Sequence, residues 1–415
     1  MFVPDSEASV FGFDSSIKST TVWTFNQYQS GEVAAGKTTA TNYGGLYMKG
    51  HADSDNTAGL AGYGDYSPTM NDYSVSTSYY IWLAGGAKST ITSSWVNGKT
   101  ASDVVADMMA FNVEVAGTAY VALCGATASN QTRTLDLFFS PLAGGFEDSE
   151  TYHASTNTTG TSSANIQVIS LTNATAGTYY ITSSSSCRVS AVRFVPTAAR
   201  TETKTITMSD MGVMTFSSPQ GWSLPSGLKA YTATTAKSDG KLTLTAVPND
   251  IIPPCTGVIL QGTHNTEYTL TASDAAQVTI NKNNCFRPVL CDYALTGEFR
   301  YGSENGSSTS WNASRNNYIL AKQGGNMVFA LSSGTGSLAA GKAYYSIRPD
   351  LVNYPSSDSR SFTLDFGSDE TTGIGASLND KGERINDKVF NLQGQRVDQP
   401  TKGLYVKNGK KVIIK

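Results

Sequence analysis

Nine short apolar runs follow one another between Thr21 and Val195, each ended within a few residues by Gly, Ser, Asn or Thr. They are Thr21–Phe25 (TVWTF), Gly45–Lys49 (GLYMK), Ser78–Leu83 (SYYIWL), Ala110–Val115 (AFNVEV), Ala119–Leu123 (AYVAL), Leu135–Phe139 (LDLFF), Ile166–Leu171 (IQVISL), Thr178–Ile181 (TYYI) and Val189–Val195 (VSAVRFV). Runs of this length are too short for amphipathic helices, which need about ten residues or more. Closely spaced turn residues between them predict an antiparallel sandwich. Only 15% of the residues are charged, which leaves little material for salt-bridged helices. The best helical stretch is Ser102–Ala110 (SDVVADMMA), with Ser102 as cap and Asp103 in the first turn. One short helix is expected there. In VSAVRFV, simple alternation puts Val189, Ala191, Arg193 and Val195 on one face and Ser190, Val192 and Phe194 on the other. Both faces are largely apolar, so this strand is expected to be central and covered on each side.

A chain of 415 residues exceeds one hydrophobic core, and two or three domains are expected. Residues 1–18 read as an N-terminal segment and 19–198 as the first β-sandwich. After the break at Pro196–Thr203, residues 199–366 read as a second, smaller sandwich-like β-domain. Its expected strands include Lys204–Thr207, Val213–Phe216, Leu228–Tyr231, Lys241–Val247, Gly257–Leu260, Glu267–Leu270, Asn317–Leu320, Met327–Ala330, Ala343–Ser346 and Ser361–Phe366. Residues 367–386 are polar and glycine-bearing, as in a linker, and 387–415 form a short β tail of two or three strands. Asn408-Gly409 between two apolar runs of that tail is a strong signal for a two-residue hairpin turn. The fold class expected is therefore all-β.

The tail, DKVFNLQGQRVDQPTKGLYVKNGKKVIIK, resembles the type IX sorting-domain-like C-termini of proteins secreted by gut and oral Bacteroidetes. The resemblance implies an exported or cell-surface protein with the secretion machinery as a partner, and implies no chemistry. The second segment, through GVMTFSSP, LTLTAVPNDIIPPCTGVILQG and LAAGKAYYSI, resembles an accessory β-module of such proteins. The first, through TVWTFNQYQSGEV, GGLYMKG and ISLTNATAGTYYITSSSSCRVSAVRFVP, is similar to the jelly-roll-like carbohydrate-binding or accessory domains of pectate lyases and other polysaccharide-degrading proteins. That resemblance implies a jelly-roll-like sandwich and a polysaccharide as partner.

Composition narrows the function classes. The net charge of −3 comes with no basic stripe, which argues against nucleic acid. No apolar run approaches the length of a membrane span, so no transmembrane segment is expected. Residues after Met1 lack a basic and apolar leader, so Met1 is expected to be an expression start or processed end with sequence upstream. Five cysteines without CxxC spacing argue against zinc. Cys285 and Cys291 could close a disulfide, or all five could be buried thiols.

The search for chemistry is short. His51, His153 and His264 read as loop histidines, and neither GxSxG nor HExxH occurs. Carboxylate pairs could be drawn from Asp103, Asp107, Glu114, Asp136, Glu147 and Asp148, with Asp103 and Asp107 sharing a helix face. No catalytic residue is assigned. The acidic loops point to Asp53, Asp55 and Asp65 as ligands for a structural calcium, the cofactor this chain could hold. Aromatic rings stack on sugars while polar neighbours take the hydroxyls. Trp23 and Trp82 read as core, whereas Trp95, Tyr63 and Tyr66 lie in turn-like segments and are the expected ligand-binding residues. The expected function is a non-catalytic, exported carbohydrate-binding protein that holds a cell surface or an attached enzyme on polysaccharide. The alternatives are part of a polysaccharide lyase or glycoside hydrolase, or an adhesion protein with protein partners.

Overall fold

The computed structural model describes residues 16–25, 41–49, 68–75, 80–83, 108–125, 132–142, 152–160, 165–183, 187–198, 202–234, 240–273, 284–295, 298–299, 315–332, 336–347, 361–366, 389–390, 396–397, 403–407 and 410–414. The fold is all-β. Among these residues no α-helix occurs, and Pro248–Asp250 makes a 3₁₀ turn.

The first module contains β1 (Ser16–Ile17), β2 (Thr21–Thr24), β3 (Thr41–Tyr43), β4 (Leu46–Lys49), β5 (Thr69–Met70), β6 (Tyr73–Ser74) and β7 (Ile81–Leu83). It continues with β8 (Met108–Val113), β9 (Gly117–Gly125), β10 (Arg133–Pro141), β11 (His153–Thr158), β12 (Gln167–Asn173), β13 (Gly177–Ser183) and β14 (Cys187–Pro196). Each of the nine expected runs holds a strand, with Ser78 and Tyr79 outside the described residues. A seven-stranded sheet runs β11-β10-β13-β8-β4-β3 with β1 parallel to β8, and a five-stranded sheet runs β12-β9-β14-β2 with β7 also on β14. The two sheets enclose one core, so the sandwich reading holds.

Two expectations need correction. Met108, Met109 and Ala110 are not helical; they begin β8, and residues 102–107 lie outside the described residues. β8 has β13 on one side and β4 on the other, and all six of its residues are buried. Covered on both faces, it shows an apolar run whose period cannot separate helix from strand. In β14 the alternation breaks at Ser190, where the register against β9 shifts between Val189 and Ala191. This bulge puts Val189 in the sandwich core together with Val192 and Phe194, and leaves Ala191 in the cluster on the outer face.

The middle of the core is aromatic. Trp23 lies 5.1 Å from Phe111, which is 5.0 Å from Tyr179, which is in turn 4.8 Å from Phe139. Their polar atoms are satisfied: Trp23 Nε1 donates to the Gly44 carbonyl at 2.8 Å, and the Tyr179 hydroxyl meets the Leu171 carbonyl at 2.9 Å and Asn173 Oδ1 at 2.8 Å. At one end of the sandwich the rings of Phe194 and Phe139 lie directly on Gly117 and Gly177. A Cβ there would approach those rings to 2.4 and 2.5 Å, so only glycine fits.

In the second module a four-stranded sheet joins Thr203–Thr207, Glu267–Ala272, Trp222–Ser223 and Ile251–Ile252. A ten-stranded sheet extends from Val213–Phe216 through Lys241–Ala246 and Ser361–Asp365 to Phe286–Pro288. Two apolar clusters serve it, one around Phe286, Tyr318, Phe329, Tyr345 and Phe362, the other around Phe216, Trp222, Ile252, Leu260 and Leu270.

The two modules meet through a shared core. Cys255, Val289, Leu290, Cys291, Tyr293 and Tyr344 belong to the same buried cluster as Trp23, Phe25, Tyr43 and Leu46. The strand Ala343–Ile347 alternates between two interiors, sending Tyr344 into this cluster and Tyr345 into the second module's own. The backbone continues the contact. Val22 N–H donates to the Pro219 carbonyl at 2.9 Å, and Thr21 forms a bridge with Gln220 on the free edge of β2. Cys255, at φ 52°, donates its thiol to the Val22 carbonyl at 2.8 Å and accepts from Thr24 N–H at 3.4 Å.

All five cysteines are free thiols, including Cys285 and Cys291, and four of them are buried. Burial pushes the Cys187 and Cys255 thiols up to about 12. They therefore stay protonated near neutrality and serve as packing groups.

The tail is a four-stranded sheet, ordered Arg396–Val397, Val389–Phe390, Gly403–Lys407, Lys410–Ile414, one strand more than the most expected. Lys407 pairs with Lys410, so these two strands are joined across two residues, and the expected turn residues Asn408 and Gly409 themselves lie outside the described residues.

Candidate functional site

The outer face of the five-stranded sheet follows from strand alternation. β9 turns Ala119, Val121 and Leu123 into the core, which leaves Thr118, Tyr120 and Ala122 on the other side. Ser170 of β12 pairs with Tyr120, and Thr172 with Thr118. On the opposite flank Arg193 pairs with Tyr120, and Val22 pairs with Arg193. A row Ser170–Tyr120–Arg193–Val22 thus crosses four strands.

A small hairpin covers half of this face. β5 and β6 turn through Asn71 at φ 62°, and Met70, Tyr73 and Val75 pack with Val22, Ala122 and Ala191. Arg193 lies beneath it, only 5% exposed. Its Nη1 donates to the Met70 carbonyl and, at 3.1 Å, to Asp72 Oδ1, and its guanidinium stands 5.0 Å from the centre of the Tyr73 ring. A buried cation must be paired, and here the pairing ties the hairpin to the sheet. Burial raises the Tyr73 hydroxyl well above its usual range, so that group stays neutral. The Asp72 side chain remains 67% exposed.

The other half is open. Ser170 and Thr172 are exposed, Thr118 and Tyr120 half-buried, and the Tyr120 ring packs against the edge of the hairpin cluster. The Thr118 and Thr172 hydroxyls lie 2.9 Å apart, and Val168 on the same strand is 38% exposed. A braced ring flanked by hydroxyls can stack on a sugar face and exchange hydrogen bonds with its hydroxyl groups.

The residues expected from sequence to carry the site, Trp95, Tyr63 and Tyr66, lie outside the described residues. So do Asp53, Asp55 and Asp65, the expected calcium ligands, together with His51, Asp103, Asp107, Glu147 and Asp148. Two residues after Tyr66 the described chain resumes at Pro68, whose carbonyl accepts from Val75 N–H at 3.1 Å. Tyr63 and Tyr66 thus precede, in sequence, the hairpin that borders the open face. Among the described residues no three His, Cys, Asp or Glu side chains gather as metal ligands. Trp23, Tyr43, Tyr47, Tyr73 and Tyr80 are buried, and Glu114 is exposed.

No protein-family model matches the chain, and a search of curated proteins finds no match.

One ionisable pair escaped the sequence reading. His153 is not a loop residue; it opens β11, beside Phe138 of β10. Its Nε2 lies 2.9 Å from Oδ1 of the fully buried Asp136, and its ring stacks on Phe138 at 4.4 Å. His264 is exposed in a turn, as expected. With His153 a quarter exposed, the Asp136–His153 pair ties the edge strand β11 to β10. His153→Ala is expected to cost about 2–3 kcal/mol in urea unfolding, because it strips a partner from a buried carboxylate. Adding Asp136→Leu should recover part of that loss, and an undiminished loss in the double variant would refute coupling.

Tyr120 was missed for a plain reason. In AYVAL it looks like any aromatic residue of a buried strand, and only the pairing of β9 shows which way it faces.

Proposed function

We propose that this chain is an exported, non-catalytic polysaccharide-binding protein, with the first module as its jelly-roll-like binding domain. The supporting observation is the open half of the five-stranded sheet, where Tyr120, Thr118, Ser170 and Thr172 present a ring among hydroxyls beside the fixed hairpin. Tyr63, Tyr66 and Trp95 are the further aromatic contacts in this reading, and Asp53, Asp55 and Asp65 hold a structural calcium. The tail serves export or anchoring at the cell surface through the secretion machinery, a role that rests on its resemblance to sorting tails.

The test is affinity electrophoresis of the whole chain through gels containing pectin, xylan, β-glucan, mucin or starch, with and without calcium. Parallel samples are assayed for released reducing or unsaturated ends. Retardation without product is the expected result. Product release would sink the non-catalytic reading in favour of a lyase or hydrolase. Free migration in every gel would sink polysaccharide binding and leave adhesion to protein partners.

A further inference from the structure

We infer that the ligand of the open face is an uncharged polysaccharide chain, lying over Tyr120 on the outside of the five-stranded sheet, and not a uronate polymer. This rests on the polysaccharide-binding reading above and adds the charge class of the sugar and the residue on which it stacks.

The argument is electrostatic. Recognition of a uronate carboxylate calls for an accessible cation, usually an arginine or lysine free to offer its donors. In the rows that hold Thr118, Tyr120, Ser170 and Thr172, the cation that the sheet supplies is Arg193. That guanidinium is 5% exposed, lies under the hairpin, and spends Nη1 on the Met70 carbonyl and on Asp72. Arg188, farther along β14 opposite Cys124, is held over the Tyr80 ring at 4.6 Å. What the face shows to solvent at this point is the Asp72 carboxylate, 67% exposed at the hairpin tip. Among the described residues the cations on this face are thus already engaged, Arg193 with Asp72 and Arg188 with Tyr80, so a uronate carboxylate would give up its hydration without gaining a partner, a cost that a neutral chain does not meet.

Shape and hydrogen bonding agree. Ser170 and Thr172 alternate with the buried Ile169 and Leu171, so β12 holds its hydroxyls in a line at strand spacing. Hydroxyls both donate and accept, which suits sugar hydroxyls of any orientation. Val168 extends the line with an exposed apolar side chain against which C–H faces can rest.

The experiment is titration calorimetry of the whole chain with xylohexaose, cellohexaose and maltohexaose against oligogalacturonate at low salt, with calcium and again in EDTA. One neutral hexasaccharide should bind, with oligogalacturonate at least tenfold weaker. Tyr120→Ala should weaken the neutral ligand about tenfold, the value of one lost stacking contact. Ser170→Glu, at an exposed position where the fold tolerates change, should weaken it as well by removing a hydroxyl and crowding the ring with a longer side chain. Oligogalacturonate binding as tightly as the neutral sugars would overturn the inference and leave polysaccharide binding standing. So would undiminished binding in both variants. Binding of none of the four ligands would remove the polysaccharide reading and the inference with it.

Discussion

A chain cut after Ala198 is expected to lose cooperative folding, although it keeps every strand of both sheets of the first module. The six residues of the second module in the shared core are each no more than 8% exposed. Burying an apolar side chain contributes about 1.5–3 kcal/mol, so together they stand for on the order of 10 kcal/mol. Unfolding free energies are themselves only about 5–15 kcal/mol. The cut also strips the free edge of β2 of its partners at Pro219 and Gln220, and an unpaired edge beside exposed apolar surface invites aggregation. Soluble yield and thermal melting of residues 1–198 against residues 1–366 measure this. A shorter fragment that melts cooperatively within a few degrees of the longer one would sink the claim that the modules share a core. For the same reason, sugar binding is measured on the whole chain.

The second large effect is at Trp23. Its side chain is fully buried, packs on Phe111 and donates to the Gly44 carbonyl, which fixes the β3–β4 turn to the core. Trp23→Ala leaves a cavity at the centre of the aromatic stack and an unpaired carbonyl, for an expected loss of about 3–5 kcal/mol. Trp23→Phe refills most of the cavity and should recover more than half. Urea midpoints of the two variants decide the matter: equal, small losses would mean that the stack repacks and the centre of the core is elsewhere.

Much of the first sandwich was legible because its central strands are apolar and its turns are rich in Gly, Ser and Asn. The strands that went unseen lack that signature. β11 reads HASTNT and holds its place by pairing with β10 and by the His153–Asp136 contact, so nothing in its own pattern marks it. β5 and β6 are two residues each, shorter than any periodicity can reveal. The bulge at Ser190 reverses the face on which residues of β14 lie, and a period of two cannot foresee it. The shared core was invisible for another reason. Val289, Leu290, Tyr293 and Tyr344 look like ordinary core residues of their own segment, and only the tertiary arrangement shows whose interior they fill. Of the candidate site, Trp95, Tyr63 and Tyr66 lie outside the described residues, and Tyr120 sits in a strand whose outward direction is a property of the pairing.

The strand Ala343–Ile347, with Tyr344 in one interior and Tyr345 in the other, also has a mechanical meaning. Were the chain anchored at its tail and bound to a polymer through the first module, as proposed, it would be pulled whenever the polymer moved. In a chain of beads on flexible linkers, that tension would swing one domain about the next. Here such tension would meet a strand seated in two interiors at once and a sheet edge bonded across the junction, and it would act as shear between packed surfaces. Separating the modules would then mean drawing Tyr344 and its neighbours out of the shared core, so that core, not a linker, would set the bearing of one module on the other.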